Sequence, residues 1–234
     1  MWRQTRVTGA ADIGAPAARG TGMTRNDGSS NGDGISNGAG VPDGAGVPDG
    51  AERTPALDAA PAHDEFWVFG YGSLLWKQGF PFAEEARARL EGYHRALCIH
   101  SWEHRGTRER PGLVLGLEGG GACDGMAYRI EEAHREDTIA YLRERELITN
   151  VYIERVLPVR LVDAGREVRC LTYVVDPTHP QYASGMTIDE EVERIRGARG
   201  MGGPNDEYVI NTVDRLHEAG IADERLETVA ARLR

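Results

Sequence analysis

Through position 62 the chain shows no sustained period of apolar residues; from Phe66 onward it carries them in readable blocks. Phe66–Phe69 is a continuous apolar run that meets the glycine-punctuated turn Gly70-Tyr71-Gly72-Ser73-Leu74. Such a run, rich in aromatics and bounded by glycine, predicts a strand buried on both faces. Tyr93–Trp102 alternates well enough for a second strand, with 82–91 as a short helical or irregular connection before it. Strands are expected at Leu113–Leu117 and Cys123–Ile130, separated by a turn at Gly119–Gly121, and at Val151–Val162 and Glu167–Val175, joined by a turn at Asp163–Gly165. A helix is expected from Glu131 to about Leu147, with acids in its first turn and arginines in its last, as the helix dipole favours. Three more helices follow, over 188–199, 205–217 and 223–233. Strands come first, one helix is inserted, and helices gather at the end. This is an α+β pattern with a mixed, mainly antiparallel sheet, strongly curved or closed into a barrel, with flanking helices. Regular βα alternation is missing, so the Gly-Tyr-Gly turn is not read as a nucleotide loop.

Composition divides the chain. Gly, Ala, Asp, Ser, Asn and Pro dominate residues 1–62, which include a tandem Ala-Gly-Val-Pro-Asp-Gly repeat ending at Gly44 and Gly50. Such a segment buries too little apolar surface to offset its conformational entropy and is expected to be a disordered tail; residues 63–234 form the folded domain. The net charge of −10 over 234 residues argues against nucleic acid and against an anionic membrane surface. No run reaches the roughly 18 apolar residues of a membrane span. Three scattered cysteines, Cys98, Cys123 and Cys170, imply reduced thiols and a cytoplasmic protein rather than a disulfide framework. Lys77 is the only lysine, so lysine chemistry has a single candidate.

One carboxylate continues an apolar stripe. Ile139, Leu142 and Glu146 fall on one helix face, with Glu144 nearly opposite. A carboxylate in that place is either paired, here with Arg143 or Arg145, or desolvated. Desolvation raises its pKa into the range useful for proton transfer near neutrality. At the other candidate locus, exposed N–H groups of the Tyr71–Leu74 turn suit a carboxylate or a developing oxyanion. Cys98, His100 and His104 supply only three soft donors, with His104 off the strand alternation, so no metal is expected. No cysteine sits in a nucleophile turn.

Phe69-Gly-Tyr-Gly-Ser-Leu-Leu-Trp76 resembles the Tyr-Gly-Ser-Leu signature of the γ-glutamylcyclotransferases, and most closely the ChaC family, which acts specifically on glutathione. The resemblance extends through His104-Arg-Gly106 with Pro111-Gly112, Gly125-Met-Ala-Tyr-Arg129, Tyr141-Leu-Arg-Glu-Arg-Glu146 and Asn205-Asp-Glu-Tyr208, in the family's order over roughly residues 66–220. The stretch Leu147-Ile-Thr-Asn-Val-Tyr152 lacks a glycine pair found in some members. The resemblance implies a γ-glutamylcyclotransferase-like barrel and an intramolecular reaction that needs no cofactor. The α-amino group of a γ-glutamyl unit attacks its own γ-carbonyl, closing 5-oxoproline; from glutathione the leaving group is cysteinylglycine. By the same likeness Glu146 is the catalytic acid–base, and the substrate is bound by Tyr71, Gly72, Ser73, Leu74, Arg105 and Tyr208. Taken without the family, Ser73 is equally a turn-former, Tyr208 a packing aromatic and Arg105 a solvated loop residue. The alternatives to glutathione are other γ-glutamyl amino acids or amines, or a binding module that retains the pocket but not the reaction.

Overall fold

The computed structural model describes residues 65–234. The expected tail at 1–62 lies outside the described residues. Five strands close into a barrel: β1 (Phe66–Gly70), β2 (Glu84–Ser101), β3 (Gly112–Ile130), β4 (Tyr152–Leu161) and β5 (Glu167–Val175), in the spatial order β1-β3-β2-β4-β5. All neighbouring pairs are antiparallel except the closing one, where β1 runs parallel to β5 and Trp67 and Val68 lie opposite Cys170 and Leu171. Closure leaves β1 without a free edge, which is why all five of its residues are buried. Both faces of the wall are buried: Val68, Tyr128 and Leu171 share one face by register, and Trp67 and Phe69 lie on the other. The mixed, mainly antiparallel α+β barrel read from the sequence is therefore the fold.

Two expectations about elements are corrected. Residues 84–91 are strand, not a helical or irregular connection, and Gly119–Gly121 does not reverse the chain. Instead β2 and β3 form one long ribbon, in which Glu91 pairs Ala122 and Tyr93 pairs Gly119. Gly92 on one strand and Gly120 and Gly121 on the other are left over at that shift, all with positive φ (84°, 97° and 71°). The glycines make a bulge that bends both strands together. A glycine triplet reads as a turn from one strand alone; the matching Gly92 is what keeps the partner in register.

The helices are α1 (Arg135–Glu146), α2 (Ile188–Ile195), α3 (Asn205–Glu218) and α4 (Glu224–Leu233), and a two-residue ladder joins β6 (Arg199–Gly200) to β7 (Gly203–Pro204). Thr187 and Glu190 form a reciprocal capping box at the start of α2, and Asp223 caps α4. At the start of α3, Asn205 is fully buried. Its Oδ1 accepts from the Leu113 N–H (2.6 Å) and its Nδ2 donates to the Leu113 carbonyl (2.8 Å), so one side chain completes the pairing of β3. Among the described residues no helix is long and apolar enough to cross a membrane.

Candidate active site

The turn that follows β1 is a single 3-10 turn, Ser73–Leu75, whose first N–H groups have no partner inside the turn. It borders a cavity of about 470 Å³ that is also lined by the end of α1, the segment after β2, the start of β4 and one residue of α3. Of the residues named from the sequence, Ser73, Arg105, Glu146 and Tyr208 line this cavity. Tyr71, Gly72 and Leu74 are not part of its wall. Tyr71 and Leu74 belong to the core; the Tyr71 hydroxyl donates to the Tyr173 carbonyl (2.9 Å), and its own carbonyl accepts from Arg95 Nε (2.7 Å). A Cβ at Gly72 would stand 3.2 Å from the Tyr208 hydroxyl, so glycine lets that phenol approach the turn.

Glu146 is the last residue of α1 and keeps 17% of its side-chain exposure. Leu142, one helical turn earlier, is fully buried and Ile139 packs on the core, so the stripe that carries Glu146 faces inward. Burial raises the pKa of its carboxyl; Arg145, whose Nε stands 3.0 Å from Oε1, pulls the other way and does not cancel the rise. Among the described residues Glu146 accepts no hydrogen bond. Arg143, the cation three residues earlier, grips Glu154 with both Nε and Nη2.

Arg105 is 9% exposed, with its guanidinium carbon 5.7 Å from the Trp76 ring centre and 5.4 Å from that of Tyr208. One of its arms donates to the Pro204 carbonyl (3.0 Å). The glycines of the His104-Arg-Gly106 and Pro111-Gly112 motifs explain that placement. A Cβ on Gly106 would collide with the Gly112 nitrogen, and one on Gly112 with the Arg105 carbonyl and with Asn205 Oδ1. His104 shares the wall; burial, then Arg145, Arg105 and Lys77, hold its pKa below the ordinary value, while Glu103 opposes. Cys98 is fully buried beside this wall, and no group of three metal-binding side chains occurs among the described residues.

Two phenols converge on the backbone of Leu115. Tyr208 accepts from its N–H (3.1 Å), and Tyr152 donates to its carbonyl (2.7 Å). Burial pushes Tyr208 up to about 12, so it stays a hydroxyl donor at any physiological pH. Sequence reasoning missed Tyr152 and assigned Arg145 nothing beyond a possible pairing with Glu146. Tyr152 carried no signal except its nearness to the end of α1. Arg145 carried one: it stands four residues after Tyr141, within reach on the same helix face.

The family model described as "ChaC-like protein" matches residues 66–234. The glutathione-specific gamma-glutamylcyclotransferase of Escherichia coli (strain K12) is 35% identical over 170 residues, covering 73% of this chain and 73% of that protein. Gamma-glutamylcyclotransferase 2-3 of Arabidopsis thaliana is 31% identical, covering 72% of this chain and 88% of its own length. Among solved structures, a glutathione-specific cyclotransferase from yeast superposes with a TM-score of 0.66 at 22% identity, over 73% of this chain and 96% of that one. That likeness establishes the shared fold.

Proposed function

Because this chain belongs to the ChaC-like protein family, we propose that it cyclises the γ-glutamyl unit of glutathione to 5-oxoproline and releases cysteinylglycine. The observation that carries the reading is Glu146: a carboxylate in a cavity wall, raised in pKa by burial, ion-paired with Arg145 on one oxygen and accepting no hydrogen bond among the described residues. A buried acid in that condition is matched to moving protons near neutrality.

In the proposed reaction Glu146 takes a proton from the substrate's α-ammonium. The freed amine attacks the γ-carbonyl carbon, and a five-membered ring closes around a tetrahedral oxyanion. Tyr208, protonated and adjacent to Gly72, is placed to donate to that oxygen, with the N–H of Ser73, the turn residue in the cavity wall, as a further donor. Glu146 then returns its proton to the amide nitrogen, the oxyanion re-forms the carbonyl as the C–N bond breaks, and cysteinylglycine departs while its freed amine takes up the second proton shed by the ring nitrogen. No water enters, so the step is a lyase reaction. The attacking atom belongs to the substrate, and the site contributes orientation, a base and oxyanion donors. Arg105, a buried cation that forms no ion pair among the described residues, is assigned to a substrate carboxylate. The three cysteines are free and buried, and burial raises their thiol pKa values, which supports a reducing, cytoplasmic setting.

The test is direct. Incubation of the protein with glutathione is expected to yield 5-oxoproline and cysteinylglycine in equal amounts, by chromatography. No product from wild type overturns the proposal. Faster turnover of γ-glutamyl-alanine than of glutathione would keep the reaction and replace the substrate.

A further inference from the structure

Arg145 and Glu146 are adjacent on the last turn of α1, so their side chains leave the helix about 100° apart. Glu146 borders the cavity while Arg145 reaches across to the segment after β1. Each nitrogen of its guanidinium is engaged there. Nη2 donates to the Ser73 hydroxyl oxygen (2.7 Å). Nη1 donates to the Lys77 carbonyl (2.6 Å), to the Tyr141 hydroxyl (3.1 Å) and, at longer reach, to the Gln78 carbonyl (3.4 Å). Nε pairs with Glu146 Oε1 at 3.0 Å. One planar cation therefore touches the turn, the backbone beyond it, the helix and the carboxylate assigned as base.

We infer that Arg145 is the positioning residue that joins the two halves of the site and fixes its hydrogen-bond polarity. The inference rests on the functional reading above and goes beyond it by assigning Arg145 and the direction of the Ser73 hydrogen bond. Arginine has donors only, whereas a serine hydroxyl has one proton and two lone pairs. With a lone pair held by a cationic donor, Ser73 Oγ is committed as acceptor on that side, and its proton is donated to no described residue. That proton is the part of Ser73 left for substrate, so Ser73 serves an oxygen, either the γ-glutamyl carboxylate or the γ-carbonyl. A hydroxyl that accepts from a cation is also the stronger donor. Glu146 has the opposite polarity. Arg145 holds it as an ion pair without saturating it, so its remaining acceptor capacity faces the substrate's ammonium. The two ends of a γ-glutamyl unit thus meet groups of opposite sense, and a single fork sets both. Lysine would keep the charge but not the several directions of donation.

The experiment compares steady-state 5-oxoproline release by wild type, Ser73→Ala, Arg145→Lys and the double variant, with folding followed by circular dichroism. Arg145→Lys is expected to lower kcat/KM about 100-fold, the scale of a misplaced catalytic group. Ser73→Ala is expected to lower it about tenfold, one hydrogen bond's worth. In the Arg145→Lys background, Ser73→Ala should then cost little more, because its hydroxyl is no longer oriented. Arg145→Gln adds a readout that a scaffold role would not move. Removing the cation raises the Glu146 pKa further, so the acid limb of kcat/KM moves to higher pH. The groups facing Glu146 besides Arg145 are the phenols of Tyr71, Tyr152, Tyr173 and Tyr208, and Lys77, His104 and Glu144 line the same cavity. Additive losses or an unmoved acid limb overturn the inference alone and make Arg145 a helix-end support. Wild-type kinetics from Ser73→Ala overturn it even where the Arg145 variants do not fold. A wild type that turns over no γ-glutamyl donor instead overturns the functional reading on which it rests.

Discussion

Glu146 is where a residue-scale pattern translated most directly into chemistry. It was visible in the sequence because it extends a stripe of Ile139 and Leu142, and a helix period makes such a position conspicuous. Its raised pKa has two consequences that point in opposite directions. For the proposed catalysis it moves the carboxylate closer to working pH, so kcat/KM should fall as acid protonates it, at a pH above the ordinary glutamate value of 4.5. Glu146→Gln removes the proposed base and should lower kcat about 10²–10⁴-fold in the 5-oxoproline assay. For stability the sign reverses. A carboxyl that binds its proton more tightly folded than unfolded makes its ionised form a cost to the fold above the unfolded pKa. Glu146→Gln is neutral at every pH, so it should melt higher than wild type at neutral pH. That advantage should shrink as pH falls below the raised pKa and vanish only below the unfolded value of about 4.5. An inactive variant that melts lower at neutral pH would falsify the burial argument. Arg145 was less legible, since its partners Ser73 and Lys77 lie about 70 positions earlier and no local period links them.

At the scale of elements, the sequence was read well wherever burial on one face imposed a period, and poorly where glycine did the work. The glycines at 119–121 looked like a chain reversal because their companion, Gly92, is distant in sequence. The α1–β4 connection poses the opposite problem, since 147–152 turns without a glycine. Asn150 has φ of 56° and is the one non-glycine residue with positive φ among the described residues. Asparagine tolerates the left-handed region because its short side chain hydrogen-bonds locally, while a β-branched residue is strained there. This turn carries the chain from Glu146 to Tyr152, so its geometry bears on both walls of the cavity. Asn150→Gly should therefore retain stability and activity. Asn150→Val should lose about 1–2 kcal/mol, read by urea denaturation, together with some activity. Equal stability of the two variants would mean that the turn relaxes into another conformation at no cost.

For the whole molecule, strand and helix order specified an α+β barrel before any tertiary contact was known, but not how the barrel closes. The parallel seam, Trp67 opposite Cys170 and Val68 opposite Leu171, joins segments about a hundred residues apart and leaves no trace in a local pattern. The site depends on that closure. Ser73 follows β1, Arg105 follows β2, Glu146 ends α1, Tyr152 opens β4 and Tyr208 lies in α3, so no fragment of the barrel assembles the cavity. All of these positions fall between 73 and 208, inside the matched span of 66–234. A chain starting at residue 63 retains every described strand and every described cavity-lining side chain. It should show the same kcat and KM for glutathione as the full chain and the same thermal midpoint. If kcat/KM for glutathione drops while the midpoint holds, residues 1–62 act on the site itself, and the boundary proposed here between tail and catalytic domain is wrong. If both drop together, the segment supports the barrel, and the domain begins earlier than residue 63.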